Sequence, residues 1–150
     1  MDEQRVELVT LPWMRVASAW GFGTSPEEIA WNRLESWARR LGLFDVPAAR
    51  VFGFNNPNPS EGSPNYGYEF VVTVGIEVEP AEGIRIGELH GGPYATMPAE
   101  FGKDPAVEIP AAWQRLDKWV AEHGYQMGHH QCLEEMDTNG QLKALWYAIQ

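Results

Sequence analysis

The residue types that most often carry chemistry are concentrated in one short stretch: His129, His130, Cys132, Glu134 and Glu135. Imidazole, thiolate and carboxylate groups are the usual zinc ligands, and a thiol beside an imidazole can act as a nucleophile. The spacing matches no usual zinc pattern, because adjacent residues on a strand point in opposite directions. The sequence places no base beside Cys132. We therefore expect no metal ion, no cofactor and no cysteine nucleophile, and we interpret the histidines as structural or solvated.

Aromatic residues are the second signal, with seven Trp, five Tyr and six Phe. Tyr68, Phe54 and Tyr94 fall on predicted strands that could face a cleft, where each ring can stabilise a desolvated cation by about 0.5–2 kcal/mol. Trp13 is expected at the rim of such a cleft or on the surface. Four tryptophans lie on predicted helical stripes and are expected in the core: Trp31, Trp37, Trp113 and Trp119.

The elements that must position these side chains form a repeat. The pattern W-x-R-L-x-x-W occurs at 31–37 and again at 113–119, an offset of 82 positions, and Gly42 and Gly124 follow at the same offset. Two copies of one unit imply pseudo-two-fold symmetry. Pockets favour the junctions of packed units, so the repeat predicts a ligand cleft between the halves.

Each half is predicted to run strand, helix, strand, strand. Helices between antiparallel strands predict an α+β fold rather than a parallel doubly wound sheet. In the first half the predicted elements are a strand at 6–20 interrupted at Pro12, a loop at 21–23, a helix from Ser25-Pro26 to Gly42, and strands at 51–54 and 66–74. In the second half they are a strand at 84–97 bent at its glycines, a helix from Pro110 to about His123, and strands at 132–136 and 142–149.

Composition and charge limit the classes of partner. The formal net charge is −10, from 21 acidic and 11 basic residues, whereas nucleic-acid binding needs clustered Lys and Arg. No apolar run reaches the ~20 residues of a membrane span, and the acidic N-terminus does not resemble an export signal. A single cysteine suits a reducing compartment. We therefore expect one cytoplasmic domain over 1–150, with pseudo-repeats at about 1–78 and 84–150, and neither direct nucleic-acid binding nor membrane association.

Together these features resemble the GyrI-like small-molecule-binding family, which includes the effector-binding domains of AraC-type and MerR-type multidrug regulators. The resemblance rests on the duplicated unit, its W-x-x-L-x-x-W helices, G-G-x-Y-A at 91–95 and C-L-E at 132–134. It covers essentially the whole chain. It implies a curved antiparallel sheet carrying two helices, with an aromatic-lined pocket at the pseudo-dyad, and we expect a stand-alone domain without the regulators' DNA-binding module.

The same resemblance implies that Glu134 lies at the pocket floor and that Trp146 forms a pocket wall. A carboxylate enclosed by rings loses hydration and favours a cation or a hydrogen-bond donor as its partner. Two alternatives stay open: Glu134 is either a pocket residue or a solvated acid beside Glu135, and Trp146 belongs either to the pocket wall or to the core. Glu69, on the aromatic strand at 66–74, is either a second polar contact in the cleft or a solvent-facing acid.

Three functions follow from the resemblance. The leading one is binding of amphipathic compounds, including cationic or DNA-active ones. The second is hydrolysis of reactive ring electrophiles, which the resemblance implies for some stand-alone members, with Glu134 as the general base. The third is action on a protein partner such as DNA gyrase, for which an acidic surface can mimic DNA.

Overall fold

The computed structural model describes residues 5–99 and 104–150. Within them, the chain forms eight strands and two α-helices, with a short 3-10 turn at Leu43–Asp45 after the first helix. Neither helix is long and apolar enough to cross a membrane. In chain order the elements are β1 (Glu7–Leu11), β2 (Met14–Gly23), α1 (Pro26–Arg40), β3 (Val51–Asn55), β4 (Tyr66–Thr73), β5 (Arg85–Leu89), β6 (Gly92–Pro98), α2 (Pro105–Glu122), β7 (Leu133–Met136) and β8 (Leu142–Ala148).

The strands form one antiparallel sheet that curls into a half-barrel, in the order β1-β6-β8-β7-β3-β4-β2-β5. This confirms the predicted α+β class. The predicted repeat is visible in the strand order, because β3-β4-β2 on one side of the centre corresponds to β7-β8-β6 on the other. The edge strands are exchanged between the halves: β1 pairs with β6, and β5 pairs with β2.

The prediction of two long bent strands is wrong in one respect, because each of them is two separate strands in the structure. The segment 6–20 breaks at Pro12-Trp13, and 84–97 breaks at His90-Gly91. Proline has no N–H to donate, and Gly91 has a φ of 75°, which side chains rarely adopt. In both places the chain therefore leaves one half of the sheet and enters the other.

Two further boundaries differ from the prediction. Gly21–Gly23, predicted as a loop, continues β2 and pairs with Tyr66–Tyr68 of β4. The second helix begins at Pro105 rather than Pro110, because Pro105 occupies a first-turn position where proline is tolerated and Pro110 lies inside the helix. The first helix begins at Pro26, and Gly42 just beyond it has a left-handed φ of 68°, as predicted.

The two helices lie on the same face of the sheet, and we call this the helix face. Leu34, Trp37 and Ala38 of α1 pack there on β2 and β4, and α2 packs on β6 and β8 through Leu116. The opposite face has a buried cluster of its own, built from strand residues that include Phe52. Since side chains alternate along a strand, a shift of one position decides which of these environments a residue enters.

Candidate functional site

Glu134 lies at the centre of the sheet, where β7 pairs with β3 and where Gly53 is its direct partner. Its side chain points to the helix face and is half-buried. The Tyr68 hydroxyl donates to its Oε1 at 2.5 Å, and the Trp113 indole N–H donates to its Oε2 at 3.0 Å. Both donors are neutral. The carboxylate thus joins β4 and α2, one element from each half of the repeat.

The approach of Tyr68 to Glu134 depends on Gly53. A Cβ built on Gly53 would overlap the phenol ring of Tyr68, including its oxygen. Glycine at the middle of β3 therefore leaves the space through which the phenol crosses the strand and reaches β7.

The protonation of Tyr68 is set by its surroundings. Burial raises the pKa of Tyr68 well above its ordinary value, and the negative charge and hydrogen bond of Glu134 raise it further. The phenol therefore keeps its proton at neutral pH and serves as a fixed donor to the carboxylate.

Among the described residues, Glu134 lines two cavities. The larger, about 740 Å³, lies between the start of α1 and the start of α2, and its floor and walls include Tyr68, Phe70 and Met136. The smaller, about 290 Å³, lies beyond Trp113 and includes Cys132. Within the described part of the chain, the larger cavity is lined by no Lys or Arg, so its charged groups are carboxylates alone.

The second carboxylate of the larger cavity is Glu27, in the first turn of α1. The Tyr66 hydroxyl lies 2.9 and 2.8 Å from its two carboxylate oxygens. Burial, followed by the hydrogen bond and charge of Glu27, raises the pKa of Tyr66 to about 12. Tyr66 and Tyr68 lie on the same side of β4, so both carboxylates of the cavity accept hydrogen bonds from phenols of the same strand.

The sequence-predicted residues divide between the two faces. Tyr68 and Glu134 meet on the helix face. Phe54, next to Gly53 on β3, packs against the cluster of the opposite face and also lines the smaller cavity. Trp146 lies on the opposite face, 6% exposed, and its indole donates to Glu135 rather than to the cleft. Tyr94 packs edge-on against Trp146 and donates to the backbone oxygen of Gln131.

Two predicted residues lie apart from both cavities that share Glu134. Glu69 accepts hydrogen bonds from Ser18 at 2.8 Å and Asn56 at 3.0 Å. Trp13 lies in the turn between β1 and β2 and is 56% exposed. The lining residues of the two cavities include neither.

Sequence reasoning missed Trp113 as a site residue. The helical stripe indicated a core position for it, and the ring does pack near Tyr147, but its N–H is directed to Glu134. The available signal was chemical, since a buried indole N–H usually finds an acceptor.

Glu135 was also missed, and it forms the polar centre of the opposite face. It is 5% exposed, and the Arg50 guanidinium donates to both of its oxygens at 3.1 and 3.0 Å. The Trp146 indole donates to its Oε1 at 3.0 Å. A buried carboxylate held by three donors fixes the orientation of β7, and with it the direction in which the adjacent Glu134 points.

Among the described residues, no three His, Cys, Asp or Glu side chains converge. His130 contacts the backbone oxygen of Pro93 at 2.7 Å and stands edge-on to Tyr94. The backbone N–H of Ala148 donates to the Cys132 sulfur, and burial raises the pKa of the thiol.

Comparison with known proteins identifies the family and the fold. The family model described as the GyrI-like small molecule binding domain matches residues 4–144. No relative was found among curated protein sequences. The C-terminal domain of EcmrR has a TM-score of 0.70 at 15% identity, covering 98% of both chains. In the EcmrR–DNA complex, the matched region is 57% of the EcmrR chain, so this chain spans little more than half of that regulator.

Two other solved structures are similar. A hydrolase from Listeria innocua has a TM-score of 0.68 at 10% identity, covering 100% of this chain and 94% of that one. SAV2435 bound to tetraphenylphosphonium has a TM-score of 0.57 at 12% identity, covering 97% and 94%. At such identities these likenesses establish the shared fold.

Proposed function

Since the chain belongs to the GyrI-like small molecule binding domain family, we propose that it binds amphipathic organic cations in the cleft above Glu134. One observation carries the proposal: the carboxylate at the cleft floor has two neutral donors, Tyr68 and Trp113, and no described cation within ion-pair distance. A partly desolvated negative charge without a positive partner favours a ligand that brings one.

The walls of the larger cavity suit the apolar part of such a ligand. Phe70 and Met136 line it, together with the ring of Tyr68. Aromatic faces attract a cation most strongly where water is excluded, and thioethers adapt to ligands of different shape. The volume of about 740 Å³ is within the range of sites for drug-sized molecules. The tetraphenylphosphonium in SAV2435 is a lipophilic cation of this class.

The test compares tetraphenylphosphonium with triphenylphosphine oxide, a neutral compound with similar rings, by calorimetric titration. We expect the cation to bind the wild-type protein, and Glu134→Gln to weaken that binding about tenfold or more, because the variant removes the charge and keeps the shape. The neutral compound should bind both proteins equally. Equal binding of the cation to wild type and variant would exclude Glu134 as the selecting group.

Hydrolysis is the second function, and the Tyr68–Glu134 pair is the observation that favours it. A carboxylate oriented by a phenol at the floor of a cavity can accept a proton from water that attacks an electrophile. The similar Listeria innocua structure is described as a hydrolase. Turnover of reactive ring electrophiles by the wild type, lost in Glu134→Gln, would support this function. Turnover that persists unchanged in the variant would remove Glu134 from the mechanism.

Action on a protein partner such as DNA gyrase is supported by the family resemblance and by the net charge of −10, and it stays a prediction. A supercoiling assay with purified gyrase tests it directly. Inhibition at micromolar concentrations of this protein is the expected result if the prediction is correct.

A further inference from the structure

We propose that the larger cavity selects ligands with two cationic groups separated by an apolar spacer, and that Glu27 is the specificity-determining residue for the second group. The inference rests on the proposed function, since it assigns a second anionic contact to the same cleft. It deepens that function by naming the class of cation.

The first argument is the position of the carboxylates. Glu27 and Glu134 both line the cavity but come from different elements, α1 and β7. Each accepts a hydrogen bond from a neutral phenol of β4: Glu27 from Tyr66, and Glu134 from Tyr68. The Cα atoms of strand residues two apart lie roughly 7 Å apart, so the two carboxylates are hydrogen-bonded to two different positions of β4.

The second argument is that both charges lack a positive partner. Neither Glu27 nor Glu134 has a Lys, Arg or His within ion-pair distance among the described residues. In the same molecule, the buried Glu135 on the opposite face has Arg50 and Lys143 beside it. The cavity therefore brings together two half-buried carboxylates that have no described cation beside them.

The third argument is the asymmetry of the repeat. The offset of 82 that relates the two helical signatures relates Glu27 of α1 to Ile109 of α2, and both line this cavity. The wall from α1 is thus anionic where the equivalent wall from α2 is apolar. Phe70 and Met136 supply further apolar surface to the same cavity. A ligand with two charged ends and an apolar middle matches this arrangement, whereas a monocation leaves one carboxylate unmatched.

The experiment measures the affinity of hexamethonium, with two quaternary ammonium groups on a hexane chain, against that of hexyltrimethylammonium, which has one. The proteins are the wild type, Glu27→Gln, Glu134→Gln and the control Glu28→Gln. Glu28 is the neighbouring acid in the same turn of α1, but it is exposed and does not line the cavity.

We expect the wild type to bind hexamethonium about tenfold more tightly than the monocation. Glu27→Gln should weaken the binding of hexamethonium alone and so bring the two affinities close together. Glu28→Gln should keep the wild-type ratio of the two affinities. Glu134→Gln should weaken both probes. The urea midpoint of each variant is measured in parallel, and a cooperative transition close to that of the wild type excludes misfolding as the cause of a changed affinity.

The failures are distinguishable. If the wild type binds both probes equally and Glu134→Gln weakens both, the proposed cation site stands and the role of Glu27 is overturned. If Glu27→Gln keeps the wild-type ratio of the two affinities, the role of Glu27 is overturned as well. If neither probe binds, or if Glu134→Gln has no effect on either, the proposed function and this inference both fail.

Discussion

Gly53 and Glu134 face each other directly across the β3–β7 pair, at the centre of the eight-stranded sheet and on the junction of the two repeats. The glycine leaves open the space that the Tyr68 phenol occupies, and the glutamate receives the hydrogen bond of that phenol. The polar centre of the cleft thus depends on a residue with no side chain as much as on the carboxylate.

Gly53→Ala should destabilise the protein by about 1–3 kcal/mol, because the new Cβ overlaps the Tyr68 ring in a packed interior and displaces its hydroxyl from Glu134. The measurement is the free energy of unfolding in urea. Gly87→Ala is the matched control, since a Cβ on this strand glycine meets nothing within 4 Å. Equal stability of the two variants would show that Tyr68 does not depend on the space above Gly53.

Trp113 and Glu134 should be energetically coupled. In a double-mutant cycle with Trp113→Phe and Glu134→Ala, we expect a coupling free energy of about 1 kcal/mol or more, because the indole donates to the carboxylate at 3.0 Å. Trp119→Phe is the control on the same helix, where the ring stacks on His123 instead. Its cycle with Glu134→Ala should be additive within about 0.5 kcal/mol. Coupling of similar size in both cycles would contradict a specific bond.

Glu135→Ala should cost about 1.5–3 kcal/mol in unfolding free energy, because it leaves the partly exposed Arg50 guanidinium and the buried Trp146 indole without their shared acceptor. Glu35→Ala removes an exposed i,i+4 partner of Arg39 and should cost about 0.5 kcal/mol or less. Urea unfolding of both variants tests the contrast. A cost for Glu135→Ala as small as that for Glu35→Ala would mean that the opposite face does not hold β7 in place.

Stability should fall at alkaline pH. Burial raises the pKa of Tyr68 above 10 and that of Tyr66 to about 12, and it raises the pKa of Tyr94 and Tyr147 as well. The folded state then binds these protons more tightly than the unfolded state, so the stabilisation is complete below pH ~10 and is lost as the pH rises further. The buried thiol of Cys132 acts in the same direction.

The measurement is the free energy of unfolding against pH, with phenolate absorbance recorded in parallel. Tyr68→Phe should show a shallower alkaline decline, because one of the raised groups is gone. A free energy of unfolding that stays constant from pH ~9 to ~12 would contradict the raised values.

Most of the secondary structure could be predicted because its signals are local. Pro26 and the following acids begin α1, and Gly42 follows it with a left-handed φ. The aromatic run from Tyr66 is β4. The sequence showed an interruption at Pro12 and at Gly91, but not whether the strand bends there or ends. That depends on which strands are available for pairing, and those strands are distant in the chain.

By itself the sequence determined the repeat, the α+β class and the alternation that sends Glu134 and Glu135 to opposite faces, because these follow from spacing along one chain. Only the tertiary structure decided on which face each acid lies. It also decided that the indole of Trp146 donates to Glu135 and that the indole of Trp113 donates to Glu134. The physical reason is that the two-residue period of a strand determines only that neighbouring side chains lie on opposite faces, and not which of the two faces carries the helices. The helix face is assigned once α1 and α2 pack on the assembled sheet.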